Sequence, residues 1–160
     1  MTMYGLPSAD ASLTQGDIID GCPIFDWEEF KDPSITWLPR RSEQRVLVLT
    51  QACDLANSKS KRVQVSVVHN AERLVQLNVL KPAMIKDQIR THRVFGLYFL
   101  PTFGDVLPES IVDLRDIHTV PRDLLEQLIG RGLLEIRLSI VSTLHSAFFL
   151  LFCVNSRLHW

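Results

Sequence analysis

The chain has 160 residues, enough for one domain with a real core and too few for two full ones. Apolar residues make up 46% and charged residues 22%, ordinary globular values that exclude disordered, collagenous and low-complexity classes. A net charge of −1 excludes a uniformly basic nucleic-acid binder but hides a layout, with residues 1–37 summing to −6, residues 38–103 to +7 and residues 104–137 to −3.

Residues 1–14 read as a flexible leader, polar and without the basic and apolar regions of a secretory signal. Residues 15–160 then form a single domain. Gln15-Gly16-Asp17-Ile18-Ile19 opens it as a turn running into a strand. Asp32-Pro33, Leu38-Pro39 and the pair Arg40-Arg41, set among charges, predict a long surface loop over 26–44. Val46-Leu47-Val48-Leu49-Thr50 is a continuous apolar run, the pattern of a strand buried on both faces. Gln51-Ala52-Cys53-Asp54-Leu55 ends it, and residues 56–61 make a turn. Residues 62–68 alternate polar and apolar with period two and predict a half-exposed strand.

Residues 74–80 read as a third strand or a short helix, and 93–101 as an aromatic strand closed by Pro101. Residues 111–117 interleave polar and apolar side chains as another strand. A helix is predicted over 121–130, with Pro121 near its start, Gly130 at its end, and Leu124, Leu125, Leu128 and Ile129 on one face. Residues 133–138 read as a last strand and 142–152 as an apolar helix or strand. Five or six short strands, one well-signalled helix and no βαβ rhythm predict a mainly β fold with C-terminal helices: a small antiparallel β-barrel.

This order of elements resembles the PemK/MazF-type toxin fold, a small SH3-like barrel. Gly16-Asp17-Ile18 matches that family's opening strand, Arg45 with 46–50 its basic residue before an apolar strand, and Asn57-Ser58 with 63–68 its polar loop and next strand. Asp113-Leu114-Arg115-Asp116-Ile117-His118-Thr119-Val120 followed by Arg122-Asp123-Leu124 is similar to the family's late strand and helix. The likeness covers residues 15–130 in outline. Two departures accompany it: Arg41-Ser42-Glu43-Gln44-Arg45 lacks the family's proline, and Gln51-Ala52-Cys53-Asp54-Leu55 resembles instead a Cys-Asp-Leu signature of uncharacterised bacterial proteins. The resemblance implies single-stranded RNA as substrate, with Arg45 and Ser66 at the catalytic positions.

The residues themselves are weighed separately. Arg45 and Ser66 act together only if they converge on one groove, where Arg45 stabilises charge developing on phosphate. Cys53 beside Asp54 lacks the neighbouring cation that lowers a thiol pKa, so a small thiol at a strand end competes with a nucleophile there. Cys22, Cys53 and Cys153 form an odd, sparse set with no disulfide framework or metal knuckle, which points to a reduced cytoplasmic setting without metal or cofactor. Arg40, Arg41, Lys59, Lys61 and Arg62 bracket the 46–50 strand and are the candidate RNA contacts, with a solvated loop pair as the competing reading.

Residues 138–154 are seventeen uncharged residues, twelve of them apolar, at the lower limit for a membrane span. Their serines, Thr143 and His145 favour a buried or partner-covered element over an anchor. Leu144, Phe148, Phe149 and Phe152 are therefore the expected interface with a protein partner or a second copy. The leading expectation is a non-catalytic accessory or binding module of a bacterial conflict or defence system. The alternative is a PemK/MazF-like endoribonuclease.

Overall fold

The two apolar runs at 46–48 and 63–68 lie at the centre of one antiparallel sheet. In a computed structural model, which describes residues 4–8, 10–32, 35–57, 60–130 and 137–140, that sheet has seven strands. In chain order the elements are β1 (Tyr4–Gly5), β2 (Asp17–Asp32), β3 (Ile35–Val48), α1 (Ala52–Ala56), β4 (Arg62–Asn70), α2 (Ala71–Gln76) and α3 (Pro82–Met84). A π-helical turn (Ile85–Ile89) continues α3, and β5 (Leu97–Leu100), β6 (Ser110–Pro121), α4 (Arg122–Gly130) and β7 (Arg137–Ile140) follow. The strands lie in the order β1-β7-β2-β3-β4-β6-β5.

Period-two alternation sends the core strands' side chains to two apolar layers. Ile19, Val46, Val48, Val65 and Val67 face one, which α4 covers with Leu125, Leu124 and Leu128. Ile18, Leu47, Leu49, Val68, Tyr98 and Val112 face the other. Both faces of β3 are thus buried near its end, and 46–49 has no polar residue for that reason. A third layer packs Ala71, Ile85, Ile89, Leu97 and Ile111 between the short helices and the β5–β6 edge. Asn70 caps α2, its side chain accepting from the Arg73 backbone N–H at 3.0 Å.

The fold is mainly β and antiparallel, as expected. The sheet stays open, with no backbone ladder between its edge strands β1 and β5 among the described residues. A side chain links them instead: the Tyr4 hydroxyl donates to the Pro101 carbonyl at 2.9 Å, and its ring meets Phe103 edge-on at 5.4 Å. Tyr4 and Leu13 are buried, so those parts of the expected leader belong to the fold.

The predicted loop over 26–44 is a correction of larger consequence. β2 and β3 pair from Ile18↔Leu47 out to Asp32↔Ile35 and run far beyond the sheet as a two-stranded ribbon. The prolines and charges that read as loop are tolerated because, among the described residues, the ribbon's edges are unpaired there. Residues 74–80 resolve toward the short-helix alternative, α2 followed by a turn, and the 93–101 strand is confined to Leu97–Leu100. The predicted helix at 121–130 is α4.

Besides a register shift near the ribbon tip, between the Glu29↔Trp37 and Asp32↔Ile35 pairs, two irregularities shape the sheet. Ile19 and Cys22 pair with Val46 and Gln44, which leaves a bulge at Asp20-Gly21 with Gly21 at φ 70°. On β6, Ser66 pairs with Ile117 while Val68 pairs with Val112, so residues 113–116 bulge away from β4, with Asp113 still paired to Leu97 of β5. Leu114 regains a partner by donating its N–H to the Gly96 carbonyl at 2.7 Å.

Candidate interaction surface

Beyond the bulge, the β2–β3 register decides which side chains share a face. Phe25 pairs with Arg41, Trp27 with Pro39, and Pro23 with Glu43. Opposed residues in an antiparallel ladder lie on the same face, and so do residues two apart. Pro23, Phe25, Trp27, Trp37, Pro39, Arg41 and Glu43 therefore form one outward face. Phe25 is 65% exposed, Trp27 69% and Trp37 55%. The opposite face turns inward: Cys22 and Ile24 are buried in the layer under α4, and Asp26 approaches His118 of β6. Only the base of the ribbon, at Cys22 and Ile24, lies over the body; farther out Glu28, Leu38 and Arg40 on that side are exposed, while the other side presents the aromatics.

Arg45 stands where the ribbon leaves the sheet. Its Nε donates to Asp20 Oδ1, and its Nη2 donates to Asp20 Oδ2 at 2.7 Å, a two-pronged pair with both side chains about one-fifth exposed. Ser66 is fully buried, and its hydroxyl donates to the Asp113 backbone carbonyl at 2.7 Å. Ser66 lies opposite Leu47, so alternation puts it on the same sheet face as Arg45, but under the apolar layer. Each of the two polar groups already has a protein partner.

The basic residues are divided. Arg40 and Arg41 sit on the ribbon, paired at exposed positions with Glu28 (3.6 Å) and Glu43 (3.3 Å). Arg62 opens β4 opposite Pro121, three residues before the Val48↔Val65 pair. From Arg41 to that level is about ten residue steps, or ~33 Å along the strand. Lys61 stays with Arg62, where its carbonyl accepts the Arg122 N–H at 3.0 Å. The structure does not gather these cations into one groove. Lys59, and the expected interface at Leu144, Phe148, Phe149 and Phe152, lie outside the described residues.

Cys53 is exposed on α1, its Sγ donating to Gln51 Oε1 at 3.5 Å and lying 3.9 Å from Asp54 Oδ1. Cys22 is buried, and burial pushes its thiol up to about 11. A polar group lies around the β6 bulge. His118 Nε2 is 3.3 Å from Asp116 Oδ1, and its Nδ1 is 4.0 Å from Asp26 Oδ1. Burial lowers the His69 pKa, opposed by the Asp116 and Asp113 carboxylates, while hydrogen bonds from Arg115 lower that of Asp113. Among the described residues no group of three or more His, Cys, Asp or Glu is placed to hold a metal ion, and no helix is long and apolar enough to cross a membrane.

A shallow depression of about 540 Å³ lies between α2, the π-helical turn and the segment before β6, lined by Ala71, Val75, Pro82, Ile85, Lys86 and Arg90 among others. Arg90 is committed there, ion-paired with Glu109 and stacked 4.6 Å over the Phe99 ring.

Sequence reasoning passed over Phe25 and Trp27, because the loop reading left them no partner strand. It also passed over Asp20. The usable signal was the alternation Ile24, Asp26, Glu28 against Phe25, Trp27, facing its mirror image across Pro33. No family model, curated protein or solved structure matches the chain.

Proposed function

We propose that the protein is a non-catalytic accessory or binding module that engages a protein through the outward face of the β2–β3 ribbon. The observation carrying this reading is the exposure of Phe25, Trp27 and Trp37 on one face of a projecting ribbon. Aromatics left in water forgo the free energy of burial, and Trp, Phe and Arg are the residue types enriched where proteins meet. The hydrogen bond from Tyr4 of β1 to Pro101, just past β5, is compatible with a PemK-like barrel outline, and that outline, with the bacterial conflict setting and a reducing cytoplasm, belongs to the proposal.

The ribonuclease alternative needs an arginine and a hydroxyl that meet RNA together. Arg45 is held by Asp20 and the Ser66 hydroxyl is buried on a backbone carbonyl, so no observation favours that reading over binding. Incubation of the purified chain with mixed single-stranded RNA, alongside Arg45→Ala, tests the choice. The RNA is expected to stay intact in both; cleavage lost in the Arg45→Ala variant would overturn the non-catalytic reading.

A further inference from the structure

We infer that the occupant of the ribbon's outward face is a second copy of this chain, the two ribbons packing face to face about a twofold axis. This rests on the reading of that face as a docking surface and adds what docks there.

Charge is the first argument. Arg41 and Glu43 lie on the face as one charge of each sign, 3.3 Å apart and both exposed, with Glu29 at the register position opposite Trp37. A twofold contact needs a self-complementary patch, in which residue i meets j and j meets i. Across such an axis Arg41 of one copy meets Glu43 of the other, twice over. A nucleic acid would meet one guanidinium and be repelled by Glu43.

Area is the second. An aromatic side chain carries roughly 150–250 Å², so at exposures of 65%, 69% and 55% the three present about 400 Å². Pro23, Pro39 and the stems of Arg41 and Glu43 extend the patch toward the ~800 Å² per partner that a standard interface buries.

The edges supply the third. Among the described residues β7 pairs with β2 only at Asp17–Ile19, and β4 pairs with β3 only at Val46–Val48, so both ribbon edges run on unpaired. Each edge carries a proline, Pro23 on one strand and Pro39 on the other, and proline has no N–H to donate to an added strand. Strand addition is thereby disfavoured on both edges of the ribbon, which leaves its face as the part of the ribbon suited to association.

Sedimentation velocity of the full chain at up to about 100 μM tests this. The wild type is expected at twice the 18.3 kDa chain mass. Arg41→Glu and Glu43→Arg are each expected to weaken the dimer about tenfold or more, since each places like charges across the axis. An equimolar mixture of the two variants should recover the dimer, because every contact across the axis is again between opposite signs. That recovery also shows that both variants are folded. A monomeric wild type overturns the inference. So does a dimer that both single variants retain, including one that dissociates only when Phe148 and Phe152 are replaced. Neither result touches the RNA assay, so failure of the dimer and failure of the non-catalytic reading are told apart.

Discussion

Arg45 and Asp20 form a two-pronged ion pair across β2 and β3 at the level where the ribbon leaves the sheet. The bulge at Asp20-Gly21 adds one residue to β2, and it is this residue whose carboxylate meets the guanidinium across the strands. An arginine suited to an anionic substrate by sequence is, in the fold, part of the frame that carries the aromatic face.

Loss of either partner leaves a partly buried charge without its counterion. Asp20→Ala and Arg45→Ala are each expected to lower unfolding free energy by about 1–3 kcal/mol. The double variant should cost less than the sum of the two, with a coupling of about 0.5–3 kcal/mol. Urea unfolding of the four proteins measures this, and strict additivity would mean the pair does not couple.

Gly96 is fixed by its surroundings. Its φ is +79°, and a Cβ there would lie 2.6 Å from Arg115 Cγ. Arg115 is in turn held by both oxygens of Asp113, the residue whose carbonyl accepts the Ser66 hydroxyl. Gly96→Ala is expected to cost about 1–3 kcal/mol, from left-handed backbone and from displacement of Arg115. A change below about 0.5 kcal/mol, within the range of an ordinary surface substitution, would show that the bulge yields freely.

Acid should weaken the fold in two steps. Burial lowers the His69 pKa below 6.5, so the unfolded chain takes up that proton first and stability falls as pH drops below 6.5. The Asp113 pKa is lowered below 3.8, so its contribution persists above that value and is lost at still lower pH, as the carboxylate is protonated in the fold. Comparison of urea midpoints at about pH 7.5 and 5.5 reads the first step, and His69→Gln should flatten it. An unchanged slope in that variant would assign the loss to other groups.

Much of the sheet was legible because its signals are local. The run at 46–49 has no polar residue, and the alternation at 62–68 needs no partner to be read. α4 announces itself by Pro121, Gly130 and its leucine spacing. The ribbon was not legible as strand, since Pro33, Pro39 and the flanking charges are loop signals until a partner strand is known to be present. The site followed the same division. Arg45 was singled out for its chemistry, but its partner Asp20 stands 25 residues away on the opposing strand, visible only once the register is set. Ser66 has the right hydroxyl, and only the β6 bulge shows that a backbone carbonyl holds it. The basic residues looked clustered because they flank one strand in sequence, whereas β3 and β4 carry them to opposite ends.

The central claim is that the ribbon's aromatic face is covered by a second copy, and tryptophan emission reads that face directly. The chain has three tryptophans, so Trp160→Phe leaves Trp27 and Trp37, both on the ribbon. The account predicts that their emission shifts to shorter wavelength as concentration rises through the dimer transition, and that Arg41→Glu abolishes the shift. Emission that stays at the wavelength of water-exposed indole at every concentration would contradict it.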